Sequence, residues 1–145
     1  MKYILTLMTF VSLLSCNNVK TDVTTEIFAH YLQEVCSCKI PEATHYFLLL
    51  PSLYCRGCVQ DKWQELEKWG NHGNRKDITI VTVQPQSIPN TIVESFNVVV
   101  DDKAMMNRLP LQVANLTIVK CEMAKVLSIY AIPTVNSPPI KDLLK

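Results

Sequence analysis

Residues 44–50 (Thr-His-Tyr-Phe-Leu-Leu-Leu) and 77–83 (Asp-Ile-Thr-Ile-Val-Thr-Val) restrict the fold of this chain more than any other feature. The first run holds no polar residue after His45, and past Asp77 the only polar residues in the second are the β-branched Thr79 and Thr82. A strand with one wet face alternates apolar with polar residues, so these β-prone runs, the first bounded by Pro41 and Pro51, read as strands covered on both faces in the middle of a sheet. Between them, residues 59–69 put Trp63, Leu66 and Trp69 on one helical face and keep Asp61, Glu65 and Lys68 off it, with Gly70 and Gly73 to stop the helix. Strand, amphipathic helix and strand in that order make a β-α-β unit whose strands run parallel through a right-handed crossover.

Upstream, Ile27, Phe28, Tyr31 and Leu32 recur at helical spacing and predict a short helix over 25–32 that ends near Cys36. Downstream, 97–100 reads as a third strand and 103–108 as a helical turn. Residues 115–120 and 126–131 read as two strands joined tightly through 121–125, an antiparallel hairpin, and 140–144 closes the chain as a short helix. The expected class is α/β, with a central mixed sheet ending in that hairpin. About 120 residues, 25–145, are enough for one core and not for two.

The first residues follow a different logic. Lys2 is followed by an apolar run from Tyr3 to Leu14 and a small residue, Ser15, which is the pattern of a signal peptide. The run is too short to cross a bilayer, which takes about 20 apolar residues. Leu13-Leu14-Ser15-Cys16 resembles the lipobox of bacterial lipoproteins, in which the Cys is diacylated through sulfur and becomes the new N-terminus. The resemblance implies a signal peptide over 1–15, a lipidated tether over 16–24, and a chain held at the membrane of the bacterial envelope, facing the periplasm. Cleavage would remove Lys2 and leave 13 of the 14 basic residues against 13 acidic ones. A formally neutral domain lacks the basic stripe that nucleic-acid binding needs.

The chemistry is concentrated in Pro51-Ser52-Leu53-Tyr54-Cys55-Arg56-Gly57-Cys58. It lies between the first buried strand and the Trp63 helix, so the Cys-x-x-Cys pair sits at a helix N-terminus. Unpartnered N–H groups and the positive end of the helix dipole stabilise a thiolate there, lowering the Cys55 pKa below the free value of about 8.5, and Arg56 acts in the same direction. With two residues between them, Cys55 and Cys58 can close a small disulfide and form a reversible two-electron couple. Strand, Cys-x-x-Cys, helix, strand, hairpin and helix together resemble the thioredoxin fold, and with the lipobox the chain is similar to thioredoxin-like lipoproteins of the bacterial envelope over about residues 25–144. The resemblance implies a three-layer fold and thiol-disulfide oxidoreductase activity. Cys55 would be the nucleophile, Cys58 the resolving thiol, and Tyr54 part of the contact surface. Protein thiols or disulfides, with an envelope electron donor or acceptor, would be the partners. The family pattern has Trp before the first Cys, Gly-Pro between the two and a cis-Pro ahead of the hairpin; here stand Tyr54, Arg56-Gly57 and Val113-Ala114-Asn115, with Pro110 nearby and an Ile-Pro-Thr at Pro133. Nor does residues 44–50 hold an acidic residue to take a proton from Cys58. The competing expectation is a non-catalytic thioredoxin-fold lipoprotein that uses its sheet as a binding or structural module. Peroxidase chemistry is not expected, because Cys55 occupies the position three residues before Cys58 where peroxide-reducing relatives carry Thr.

In such a sheet the strand after Ala114 runs antiparallel beside 44–50, so its far end should meet the chain after Cys38. The implied structural disulfide joins Cys121 to Cys38, or failing that to Cys36. Cys36, Cys38, Cys55 and Cys58 also stand near a four-Cys zinc spacing. A strand rising about 3.3 Å per residue with no Gly to reverse it separates the two pairs. No metal or other cofactor is therefore expected. His30, His45 and His72 read as structural or solvated, Trp63, Trp69, Met105 and Met106 as packing, and Asp101-Asp102 as a strand-ending turn.

Overall fold

The computed structural model describes residues 22–70, 75–132 and 138–144. Its elements are α1 (Val23–Cys36), β1 (His45–Leu50), α2 (Arg56–Gly70), β2 (Arg75–Thr82), α3 (Asn90–Ser95), β3 (Phe96–Val100), β4 (Leu116–Glu122), β5 (Lys125–Ile132) and α4 (Ile140–Leu143), with a 3-10 turn at Met105–Arg108. The five strands form one mixed sheet in the order β3-β2-β1-β4-β5. β1 pairs parallel with β2, Leu48 opposite Ile80, and antiparallel with β4, Leu48 opposite Ile118. β3 continues parallel beside β2, and β5 runs antiparallel beside β4 through a turn at Met123 and Ala124.

The apolar runs are continuous because both faces of the sheet are covered. Tyr46, Leu48 and Leu50 point to one face, with Ile78, Ile80, Leu116 and Ile118, and meet Val59, Trp63 and Leu66 of α2, Ile92 of α3 and Ile140 of α4. Phe47 and Leu49 point to the other, with Val81, Val119 and Cys121, and meet Phe28, Tyr31 and Leu32 of α1. This alternation makes an α/β sandwich of helices, sheet and helix.

One short helix is absent from the sequence expectations and one expected helix starts earlier than its apolar spacing shows. α3 opens at Pro89 and buries only Ile92, so its apolar period is too short to read. α2 begins at Arg56 rather than near Val59, which brings the helix N-terminus directly to Cys55.

Charges buried in the sandwich fix its loose parts. Lys62, only 3 % exposed, pairs with Glu65 at 3.0 Å and donates to the Pro138 carbonyl at 2.9 Å. Glu65 also accepts the Ile140 N–H, so this pair ties α4 to α2. Asp101, 1 % exposed, ends β3. Its carboxylate accepts the Met105 N–H at 2.9 Å, the Met106 N–H at 2.7 Å and the Tyr31 hydroxyl at 3.3 Å. One carboxylate thus holds the 3-10 turn and fastens it to α1, which is more than the simple strand-ending turn expected of Asp101-Asp102.

Candidate functional site

Cys55 immediately precedes α2, at the C-terminal end of β1, and is joined to Cys58 by a disulfide with Cα atoms 5.1 Å apart. The local cause is the unfinished first turn of α2. The Cys58 N–H has no partner within the helix and donates instead to the Cys55 carbonyl at 3.0 Å and to Cys55 Sγ at 3.2 Å. Cys55 Sγ therefore stands where the side-chain acceptor of a helix N-cap stands. It is exposed, whereas Cys58 is half-buried behind it. An N–H and a helix dipole aimed at Cys55 Sγ favour negative charge on that sulfur over the other.

Arg56 is the first residue of α2 and is exposed; Tyr54 packs against the α2-side core. Both line a depression of about 290 Å³ with Gln60, Trp63, Gln86 and Pro89. On the other flank a depression of about 560 Å³ is bordered by Pro51, Leu53, Asn107, Leu111, Val113 and Asn115. Leu53 beside it is 90 % exposed. Residues adjoining Cys55 thus border two clefts, one aromatic and polar, the other mixed polar and aliphatic.

Sequence reasoning missed the residues that set the shape of this loop. Asn115 Oδ1 accepts the Cys55 N–H at 2.7 Å from 60 positions away. Asn107 Nδ2 donates to Ser52 Oγ at 2.7 Å, and Asn107 Oδ1 accepts the Ser52 N–H at 3.4 Å. Asn115 begins the approach to β4 and Asn107 belongs to the turn held by Asp101, so the Cys-x-x-Cys loop is clipped from two directions. The only hint of this in the sequence is positional: Asn115 stands just ahead of the run that forms β4. Among the described residues no peptide bond is cis.

The expected disulfide from Cys121 to Cys38 or Cys36 is not formed. Cys36 and Cys38 are joined to each other, and Cys121 is a free thiol, fully buried and pushed up to about 12 by burial. The strand placement behind that expectation does hold, since Cys121 lies opposite His45 at the start of β1. What defeats the pairing is Ser37, whose left-handed backbone, φ 53°, turns Cys38 back onto Cys36. The two disulfides flank opposite ends of β1, so their four sulfurs do not converge, and no cluster suited to a metal ion occurs among the described residues.

His45 Nε2 is 3.0 Å from Thr79 Oγ1, and burial lowers its pKa, with the Asp77 carboxylate acting weakly against this. His30 is exposed on α1. Cys16, Pro133 and His72 lie outside the described residues, and no helix among the described residues is long and apolar enough to cross a membrane. No family model, no curated protein and no solved structure matches this chain.

Proposed function

We propose that this chain is a thioredoxin-like thiol-disulfide oxidoreductase, anchored by lipid on Cys16 in the bacterial envelope and working through Cys55 and Cys58. One observation carries the reading: the Cys58 N–H donates to Cys55 Sγ at 3.2 Å at the start of α2 while the two sulfurs close a disulfide. The order β3-β2-β1-β4-β5 with β1 central, the β4–β5 hairpin, and helices on both faces support the thioredoxin-like fold.

In the reducing direction the Cys55 thiolate attacks one sulfur of a substrate disulfide. The substrate S–S bond breaks, its other sulfur leaves as a thiolate and takes a proton, and a mixed disulfide joins Cys55 to the substrate. Cys58, deprotonated, then attacks Cys55 Sγ, re-forming the internal disulfide and releasing the second substrate thiol. Two electrons pass from the pair to the substrate, and a dithiol donor restores them. The clefts on either side of Cys55 leave room for the substrate segments that flank its disulfide.

The chain also keeps features of a binding module. β1 is buried along its length with no acidic residue to deprotonate Cys58, and Asn115 occupies the Cys55 N–H. Alkylation of the reduced chain separates the readings. A redox enzyme labels first at Cys55, with half-reaction below the free-thiol pH of about 8.5; a merely closed pair labels at Cys58 as fast, or at Cys55 only above that pH.

A further inference from the structure

Cys36 and Cys38 have no part in the reaction at Cys55, yet they form a disulfide of their own at the C-terminal end of α1. We infer that Cys36–Cys38 is a second thiol-disulfide exchange site, which accepts two electrons from a dithiol and works independently of the Cys55–Cys58 pair. It goes beyond the proposed function and does not rest on it.

The pair is a poor structural staple. A disulfide stabilises by closing a loop in the unfolded chain, and a sequence separation of 2 closes almost the smallest loop possible. Nor does the turn depend on it. The Ser37 N–H donates to the Gln33 carbonyl at 3.1 Å and the Cys38 N–H to the Leu32 carbonyl at 3.3 Å, which ends the helix in a left-handed cap without help from sulfur. When the S–S bond opens, that backbone still holds the two thiols side by side. Bond making and breaking therefore change the fold little, as a reversible couple requires.

Access and polarity set its role. Cys36 and Cys38 are half-buried around the exposed Ser37, whereas Cys121 is sealed in the core. Cys36 Sγ lies 3.2 Å from the Leu32 carbonyl oxygen and Cys38 Sγ 3.2 Å from the Cys36 carbonyl oxygen. After reduction these oxygens accept S–H donors, and the negative end of α1 opposes a thiolate, the reverse of the surroundings at Cys55. The S–H···O contacts favour the protonated dithiol, so the pair takes up electrons as two thiols, while the same field slows both departure of a thiolate from the oxidised pair and attack by the reduced one. Its place also separates it from Cys55. The six residues of β1, a strand roughly 17 Å long, lie between the two disulfides. Cys36 and Cys38 pack against the α1-side core and α2 against the other, so direct exchange within one molecule is excluded.

The step balances with a dithiol as the reductant. One thiolate of the donor attacks a sulfur of the pair, the Cys36–Cys38 bond breaks, and the released sulfur takes a proton. The second donor thiolate then breaks the mixed disulfide, leaving two thiols on this chain and a disulfide on the donor.

The test uses the full chain carrying Cys55→Ser and Cys58→Ser, equilibrated in glutathione buffers from oxidised to reduced, acid-quenched, labelled with maleimide and digested with trypsin. Residues 21–39 form one tryptic peptide that contains Cys36 and Cys38 and no other Cys. The expected result is a reversible shift of that peptide from no label to two, complete within the glutathione range, with circular dichroism unchanged. Three outcomes overturn the proposal: a peptide unlabelled in the most reducing buffer until the chain is unfolded, a peptide fully labelled in every buffer, or one cross-linked to the peptide bearing Cys121. Loss of reductase activity in this variant bears on Cys55 and Cys58 alone, so the two ideas fail separately.

Discussion

Replacing Asp101 tests how the site is held. Its carboxylate accepts two backbone N–H groups, from Met105 at 2.9 Å and Met106 at 2.7 Å, at 1 % exposure. Hydrogen bonds to a charged partner contribute about 1.5–3 kcal/mol each, and a buried N–H left without an acceptor costs about 1–3 kcal/mol. The third donor, Tyr31, is farther at 3.3 Å, and burial together with the Asp101 charge pushes its phenol well above its ordinary value, so it stays a donor. Asp101→Ala strands both amides and should destabilise the domain by about 3–5 kcal/mol. That is a large part of the about 5–15 kcal/mol a domain of this kind commands. Tyr31→Phe leaves the two amide bonds in place and should cost about 1 kcal/mol. Urea unfolding followed by the fluorescence of Trp63 and Trp69 measures both. A loss below about 1 kcal/mol for Asp101→Ala, the size of an ordinary surface change, would refute the claim that this carboxylate holds the turn beneath the Cys55 loop.

Gly70→Ala places a Cβ 2.8 Å from Ser95 Cβ and 2.9 Å from Ser95 Oγ, and should destabilise by about 1–3 kcal/mol in the same urea assay. Gly57→Ala meets nothing within 4 Å inside α2 and should instead stabilise by about 0.5–1 kcal/mol. Because burial lowers the pKa of His45, the unfolded chain takes up that proton first. The stability is therefore full above about pH 6.5 and falls as pH drops below it, and His45→Gln should flatten that fall in denaturation curves at pH 7.5 and 5.5. Asn115→Asp sets a negative charge 2.7 Å from the Cys55 N–H and should slow Cys55 alkylation at neutral pH by about threefold or more. Equal rates would remove Asn115 from the reacting sulfur's surroundings. Mass spectrometry of the membrane fraction should find a diacylated Cys16, and an unmodified chain starting at or after Asn17 would contradict the anchor.

The parts of the molecule written in local runs were legible in advance. Residues 44–50 and 77–83 announce β1 and β2 because both faces of a central strand are apolar, and the Trp63–Leu66 spacing announces α2. What escaped depends on contacts between distant positions. Lys62 sits on the buried side of α2, where the Pro138 carbonyl and Glu65 meet it. Asn115 is an unremarkable polar residue until β4 brings it beside Cys55. The Cys121 pairing failed at one torsion: the strand order that places Cys121 near the start of β1 was readable, but the left-handed turn at Ser37 was not. Ser is not a residue that announces such a turn as Gly does.

The central claim is that Cys55 and Cys58 form a working redox couple rather than a closed bond. The most direct measurement is disulfide reductase turnover of the full chain on a protein disulfide with a dithiol as electron source, run beside Cys55→Ser and Cys58→Ser. Turnover is expected for the native chain and none above background for Cys55→Ser. Cys58→Ser should trap a mixed disulfide on Cys55, visible by mass. Native turnover no greater than that of Cys55→Ser, with no trapped species, would contradict the claim.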